Sequence, residues 1–375
     1  MKSISHKPFY HRLSHSLIAL SILTLGIYYG QEIIVPLVMA GLIAVLLRPV
    51  ERWLIKIGFP KVLAITIAVS AAVLLLAGVA ILLSLQLAEF TDEWPKLKHN
   101  LNEFYRSVRR WIRKEYRLSY WQQDQYLKNA QTRTLENFRG VETLGAITGP
   151  LSTLILLPIY AFLLLYYRTM LLHFMVVLFA EEHKQKVLEV LGEIRSIIQS
   201  YMVGLVLETT AVAVLNSAGL LILNVQYAIL LGIMAAILNL IPYIGGLVAV
   251  ALAVLVTFIN TPEIPTLLGV AGVFLLVQFI DNNFLVPLII GSSVKINAMI
   301  SIVGVLVGGA LAGVSGMFLS IPAIAIMKVV FDRVDGLKPW GILLGDQTPE
   351  TANGNLFRLV NDLPDPENGN EQSSN

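Results

Sequence analysis

The sequence predicts an all-α, polytopic integral membrane protein of about eight spans, with broken or re-entrant helices in its C-terminal half. Three observations carry this. Hydrophobic residues fill 56% of the 375 positions and charged residues only 14%, and mean hydropathy is +0.71, values typical of multi-pass membrane proteins. From Tyr201 to Met327 only four side chains are charged, Glu208, Glu263, Asp281 and Lys295; a solvated fold of that length needs many more. Apolar runs also recur near the length of about 17–25 residues that crosses a bilayer.

Taken in order, the first spans are 13–30 and 33–47, joined as a helical hairpin at Gly30-Gln31-Glu32. The apolar start continues directly into the second run with no small-residue cleavage pattern, so it is not expected to be a signal peptide. The third span, 62–87, is nearly pure Ala, Val, Leu and Ile. The fourth, 147–167, is entered through Gly149-Pro150 and contains Pro158. The fifth is 201–223. Residues 227–259 are too long for one straight span and are broken by Ile241-Pro242-Tyr243-Ile244-Gly245-Gly246. Residues 267–290 form one span interrupted near Asp281-Asn282-Asn283. Residues 298–330 are broken by Gly313-Val314-Ser315-Gly316 and by Pro322. Each long piece is either one kinked helix or a hairpin of half-helices.

Two insertions are not membrane. Residues 89–145 hold eleven Lys/Arg and three of the five Trp, Trp94, Trp111 and Trp121. Within them Leu97, Leu101, Phe104, Val108, Trp111 and Ile112 recur at helical spacing, which predicts an amphipathic helix. In 181–200, Val187, Leu188, Leu191, Ile194 and Ile198 form an apolar stripe on a cytoplasmic helix. Residues 348–375 are rich in Asn, Glu, Pro and Ser and are expected to be disordered. The expected organisation is therefore a three-span region 1–90, an extramembrane insertion 91–145, a core transport region 146–335 and a cytoplasmic tail 336–375. Lys2, Lys7 and Arg12, then Arg48, Arg52, Lys56 and Lys61, then Lys328, Arg333 and Lys338 mark three flanks as cytoplasmic by their positive charge. Eight crossings satisfy that, and so do six crossings with two re-entrant hairpins.

A net charge of +2 gives no case for nucleic acid, and without cysteine there is no thiol chemistry or thiolate metal site. H-E-x-x-H and G-x-x-x-x-G-K-[ST] are absent, so neither a metal, a cofactor nor a nucleotide is expected, and active transport would run on an ion or proton gradient. Gly313-Val314-Ser315-Gly316 matches the G-x-S-G of intramembrane serine proteases, but that chemistry needs a histidine base within reach, and the one histidine inside the expected bounds, His15, stands at the outer edge of the first span. The chain is not expected to be an enzyme.

Polar groups at membrane depth are costly and are the functional candidates. Glu208 is either a proton- or cation-binding carboxylate or an interfacial acid hydrogen-bonded to Thr209 or a neighbouring helix. Asn216 and Asn239 are amides of the kind that join helices. Pro242, Tyr243 and Gly245 belong to the broken motif, which either lines a cavity, as discontinuous helices of transporters do, or is a loop at the membrane surface. Gln278, Asp281, Asn282 and Asn283 follow at i, i+3, i+4 and i+5; the first three share a helix face and line an aqueous path or mark a helix end. Gly304, Gly308, Gly309, Gly313 and Gly316 include two G-x-x-x-G spacings that let helices approach closely.

In this order the residues are familiar. The chain resembles the autoinducer-2 exporter family in Leu46-Leu47-Arg48-Pro49-Val50, in Tyr201-Met202-Val203-Gly204, and in Asn239-Leu240-Ile241-Pro242-Tyr243-Ile244-Gly245. The likeness continues in Asp281-Asn282-Asn283 with Pro287 and Gly291, and in Gly308-Gly309-Ala310 through Gly316 to Ile321-Pro322. It covers roughly residues 18–333. It departs at Asn297-Ala298, where many members have His-Pro, and at Glu208, where many have Gln soon after the glycine that Gly204 matches. The resemblance implies a seven- to eight-span permease of the bacterial inner membrane. Some members are credited with exporting autoinducer-2, others with sodium or lithium/proton antiport, and some with forming oligomers. The leading expectation is a secondary exporter of a small polar solute such as a signalling molecule, forming a homo-oligomer in contact with membrane lipid, with both termini cytoplasmic. The alternatives are a monovalent cation/proton antiporter and a non-transporting scaffold that docks a partner through 91–145.

Overall fold

A computed structural model of the chain describes residues 9–92, 148–241, 244–261, 263–289, 296–334 and 336–346, with the single positions 103 and 106. These are helical, with no strand beyond an isolated bridge between Ile296 and Gly345, so the all-α membrane class holds. The helices are α1 (Phe9–Lys56), α2 (Lys61–Asp92), α3 (Thr148–Tyr166), α4 (Arg168–Val177), α5 (Lys184–Ile222), α6 (Ala228–Asn239), α7 (Ile244–Asn260) and α8 (Ile264–Ile280). A π-helical turn (Asp281–Leu285) leads into α9 (Val286–Ile289), α10 (Ala298–Arg333) and α11 (Lys338–Leu344). By length and composition, five helical stretches among the described residues could cross a membrane, α10 counted at its full length, and six when the pair α3–α4, bent by 65°, counts as one span. Apart from 89–92, which end α2, and the single positions 103 and 106, the insertion expected to hold an amphipathic helix lies outside the described residues, as do the residues beyond 346.

The first departure from expectation is α1. The hairpin at Gly30-Gln31-Glu32 does not form; one helix runs through it for 48 residues, about 72 Å at 1.5 Å per residue. Gln and Glu are good helix formers and a lone Gly costs only about 1 kcal/mol, so nothing there stops the helix. Arg48, Arg52 and Lys56 consequently lie on α1 and not on a loop. Phe9 and Lys56 also stand at opposite ends of one rod, whereas placing both basic flanks on one side required the hairpin.

The second departure is α5. The extramembrane stripe of 181–200 and the span beginning at Tyr201 are one helix of 39 residues. Ile198 of the stripe is buried with Tyr201, Met202, Leu205 and Leu42 of α1 in a single apolar cluster.

The two long apolar pieces are hairpins of half-helices. Helices α6 and α7, about 18 and 26 Å long, each fall short of a bilayer core of about 30 Å. They pack antiparallel: Ala228, Leu231 and Ala235 share a core with Ala249, Ala253 and Val256. Gly232 lets α6 lie against α5, since a Cβ there would stand 2.6 Å from the Ser217 nitrogen. Helix α10 reverses at Ala312 (φ −145°) and Gly313 (φ +58°, ψ −144°), a conformation that favours glycine. Gly308 consequently faces Gly316, and Gly304 faces Ile324 and Ser320, the close approach foreseen for the glycine spacings. Pro322, expected as a second break, sits within the second arm.

The ends sort by charge. Arg333 Nη2 donates to Glu193 Oε2 at 2.7 Å, tying the end of α10 to the early turns of α5. Lys61 Nζ donates to the Tyr166 carbonyl at 2.8 Å and lies 5.2 Å from that ring's centroid, tying α2 to α3. Helix α11 folds back on α10: the Asn297 amide donates to the Leu344 carbonyl at 3.0 Å. The region expected to be a tail from 336 thus begins with a docked helix.

Candidate functional site

Glu208 stands on α5 opposite the last turn of α6, because the two helices run antiparallel. Asn239, the final residue of α6, reaches back to it: Asn239 Nδ2 donates to Glu208 Oε1 at 3.1 Å. The same nitrogen donates to Asp281 Oδ2 at 3.0 Å. Two carboxylates from separate helices therefore share one amide donor, and their bonded oxygens lie within about 6 Å of each other. Glu208 is 6% exposed and Asp281 3%. No Lys or Arg among the described residues forms an ion pair with either. Glu208 is hydrogen-bonded to a neighbouring helix, and that bond leads to a second acid.

The backbone around the site explains how it is held. Asp281 opens the π-helical turn, and the extra residue per turn changes the direction of every side chain that follows; such turns are frequent at functional sites. Gly245, the second residue of α7, packs against the end of α6, where a Cβ would overlap the Leu238 carbonyl. The Asn239 segment thus fits only because residue 245 has no side chain. Gly246 faces the Gln278 amide, whose Oε1 would stand 2.6 Å from an added Cβ.

The expected polar set is only partly brought together. Asn216, one of the buried polar residues, Asn239, Gln278 and Asp281 line a cavity of about 10 Å³ with Gly246 and Phe274, room for about one water-sized species. Asn216 Oδ1 and Asp281 Oδ1 are buried and have no hydrogen-bond partner among the described residues, so two acceptors are left over beside that space. Asn282 and Asn283 turn away. Asn282 Oδ1 accepts from Gln278 Nε2 at 3.2 Å on the outer face, and Asn283 Nδ2 donates to the Phe279 carbonyl of its own helix at 2.8 Å. Pro242 and Tyr243 lie outside the described residues. Asn297, where the sequence departs from the family pattern, caps α10 by accepting from the Met299 amide at 2.9 Å.

What the arrangement offers is a buried pair of acids with spare acceptors at the tip of a half-helix. It suits a proton or a small positively charged or hydrogen-bonding species. Among the described residues no group of three or more His, Cys, Asp or Glu could hold a metal ion. Asn239 stands out in the sequence as a candidate pathway residue or as an amide that joins helices, but nothing in the sequence shows that it joins the two acids. Nor does the sequence show the burial of Arg48, although positions 48, 52 and 56 repeat at helical spacing.

A family model described as AI-2E family transporter matches residues 17–336. The chain belongs to the AI-2E transporter family. Among its relatives, YueF of Bacillus subtilis, provisionally named as a transport protein, is 26% identical over 321 residues, 81% of this chain and 85% of that one. YhhT of Escherichia coli K12, named in the same provisional way, is 24% identical over 337 residues, 89% and 94% of the two chains. TqsA of the same organism, named an AI-2 transport protein, is 27% identical over 338 residues, 88% and 94% of the two chains. Membership and the apolar helices make this AI-2E chain a membrane transporter.

Proposed function

We propose that the chain is a secondary transporter of the cytoplasmic membrane in which Glu208, Asn239 and Asp281 couple substrate movement to a proton or cation. The observation that carries this is the single Asn239 nitrogen held between two buried carboxylates. Charge on both acids at that depth is costly without a counter-charge. Binding a proton or cation lowers the cost and releasing it restores the cost. The site sits at the joint between α5, the α6 tip and the π-helical turn, so occupancy there bears on how the half-helix packs. Broken helices at a midplane site are a known way to build alternating access.

The leading substrate class is a small polar solute such as a signalling molecule, the class to which TqsA's name points. A second reading, exchange of a monovalent cation for protons, is favoured by one specific observation: two buried acids 73 positions apart, Glu208 and Asp281, meet at one site. In either case we place the core transport region at 146–335.

The test uses purified protein in proteoliposomes with a trapped pH-sensitive dye. Sodium, lithium and potassium are added in turn, with Glu208→Gln and Asp281→Asn alongside. Proton movement driven by one cation and lost in both variants supports exchange. No proton response to cations, but proton-coupled efflux of polar metabolites lost in both variants, supports solute export. Coupled flux of either kind that survives in both variants removes the acid pair from the mechanism.

A further inference from the structure

A second polar space lies away from this site, where the end of α1 meets the early turns of α5. It is a cavity of about 250 Å³ lined by Arg48, Arg52, Trp53, Lys56, Arg195 and Gln199. Arg48, Arg52 and Lys56 recur every four residues and share one face of α1. Arg195 comes from α5, about 20 Å along the helix from Glu208, so the two sites are separate. Arg168, at the start of α4, acts electrostatically on both Arg48 and Arg195, and the acid acting on Arg48 is Glu51. Glu51 is thus one carboxylate against the three arginines that act on Arg48: Arg168, Arg195 and Arg52.

Arg48 is 6% exposed, and its Nε, like that of Arg168, is buried with no hydrogen-bond partner among the described residues. A buried guanidinium with a donor left over, a half-buried one at Arg195 across the space and the exposed Arg52 and Lys56 at its edge make a site for an anion. Guanidinium forks match the oxygens of phosphate or carboxylate. The position decides between them. Trp53 is 61% exposed on the cavity's rim, with Val50 at 41% and Ile57 at 55% beside it, an apolar and aromatic fringe of the kind that lies at the headgroup level of a bilayer. Phosphate is the anion of that layer, and basic pockets between membrane helices hold such headgroups.

We propose that this cavity is a phosphate-binding site that takes either the headgroup of an anionic phospholipid or a free phosphate or phosphorylated solute. Arg48 and Arg195 would grip the phosphoryl oxygens, Arg52 and Lys56 would close the open side, and Trp53 would lie against the acyl or glycerol portion.

The test is the thermal unfolding of the full-length protein in a neutral detergent. It is titrated with dihexanoyl-phosphatidylglycerol, with dihexanoyl-phosphatidylcholine as the uncharged-net control, and separately with inorganic phosphate against chloride at equal ionic strength. Arg52→Gln and Lys56→Gln change exposed side chains and keep the fold if Arg195→Gln does not. Stabilisation by phosphatidylglycerol alone, with affinity falling about tenfold for each arginine removed, supports a lipid headgroup. Stabilisation by inorganic phosphate, weakened by the same variants, supports a soluble phosphate. No response to either probe, or a response that all three variants retain, overturns the proposal.

Discussion

Replacing Asn239 with Ala removes the donor that joins the two acids, and the consequence can be sized. Asn239 Nδ2 makes bonds of 3.1 and 3.0 Å to Glu208 and Asp281. Interhelical hydrogen bonds in membranes average about 0.6 kcal/mol and reach about 1.7 kcal/mol, and bonds to a charged acceptor are roughly twice as strong as neutral ones. Each bond is therefore expected to contribute about 1–2 kcal/mol. The single variant should lose both bonds, about 2–4 kcal/mol, and both carboxylates are then left facing each other with no donor between them. The assay is reversible unfolding in detergent–lipid micelles, followed by tryptophan fluorescence, for Asn239→Ala, Glu208→Ala, Asp281→Ala and the two double variants containing Asn239→Ala. Each double-mutant cycle should return a coupling of about 1 kcal/mol or more. Couplings below about 0.5 kcal/mol in both cycles would refute the bridge, and with it the argument that these residues act as a unit.

Two further outcomes follow from packing and charge. Gly245→Ala should destabilise the protein by about 1–3 kcal/mol and impair transport in the same proteoliposome assay, because its Cβ would overlap the Leu238 carbonyl and push the Asn239 turn away from the acids; full activity would show that the turn relaxes freely. Arg333→Gln should change stability by no more than about 1 kcal/mol, since its ion pair with Glu193 is about 40% exposed on both sides, and its unfolding midpoint should match that of Glu193→Gln.

The sequence made the class and the polar inventory legible, for a physical reason: a bilayer tolerates few charges, so each charge that remains stands out. Glu208, Asn239 and Asp281 could be picked out one by one on that ground. Their meeting could not. Residues 208 and 281 come together because α8 packs along α5, Val277 beside Val212 and Val273 over Gly219; Asn239 reaches both because α6 folds back along α5 where Gly232 meets Ser217, residues that look unremarkable in a run of apolar residues. The π-helical turn was also invisible, since it differs from an α-helix by one residue per turn and leaves no compositional mark; Asn282 and Asn283 lie on it and face outward from the cavity that Asp281 lines. The hairpin expected at Gly30 failed for the opposite reason. A glycine between two apolar runs looks like a turn, but Gln31 and Glu32 carry the helix onward.

The direction from which each half-helix pair enters is the sharpest consequence of the fold, and the absence of native cysteine makes it measurable with single-cysteine variants. Ser14, Lys61, Glu263, Met299 and Trp340 give a set of positions along the chain. The arms of α10 run back beside each other from Gly304 facing Ile324 to Gly308 facing Gly316, so its two ends emerge together, next to the basic cluster of Lys328 and Arg333. The shorter arm, about 21 Å, stops short of the far side of a bilayer core of about 30 Å. The α6–α7 pair points the other way, because the tip at Asn239 meets α5 at Glu208 while its open end, near Glu263, lies beyond Ile222. An impermeant maleimide applied from outside should thus label Glu263→Cys at once, and should label Met299→Cys and Trp340→Cys only after permeabilisation. A straight α10 crossing would put Met299 and Trp340 on opposite sides, and that result would refute the hairpin. Ser14→Cys tests α1 in the same experiment. A single continuous crossing puts it on the side opposite Lys61→Cys, and labelling of both from one side would show that α1 turns back within the membrane.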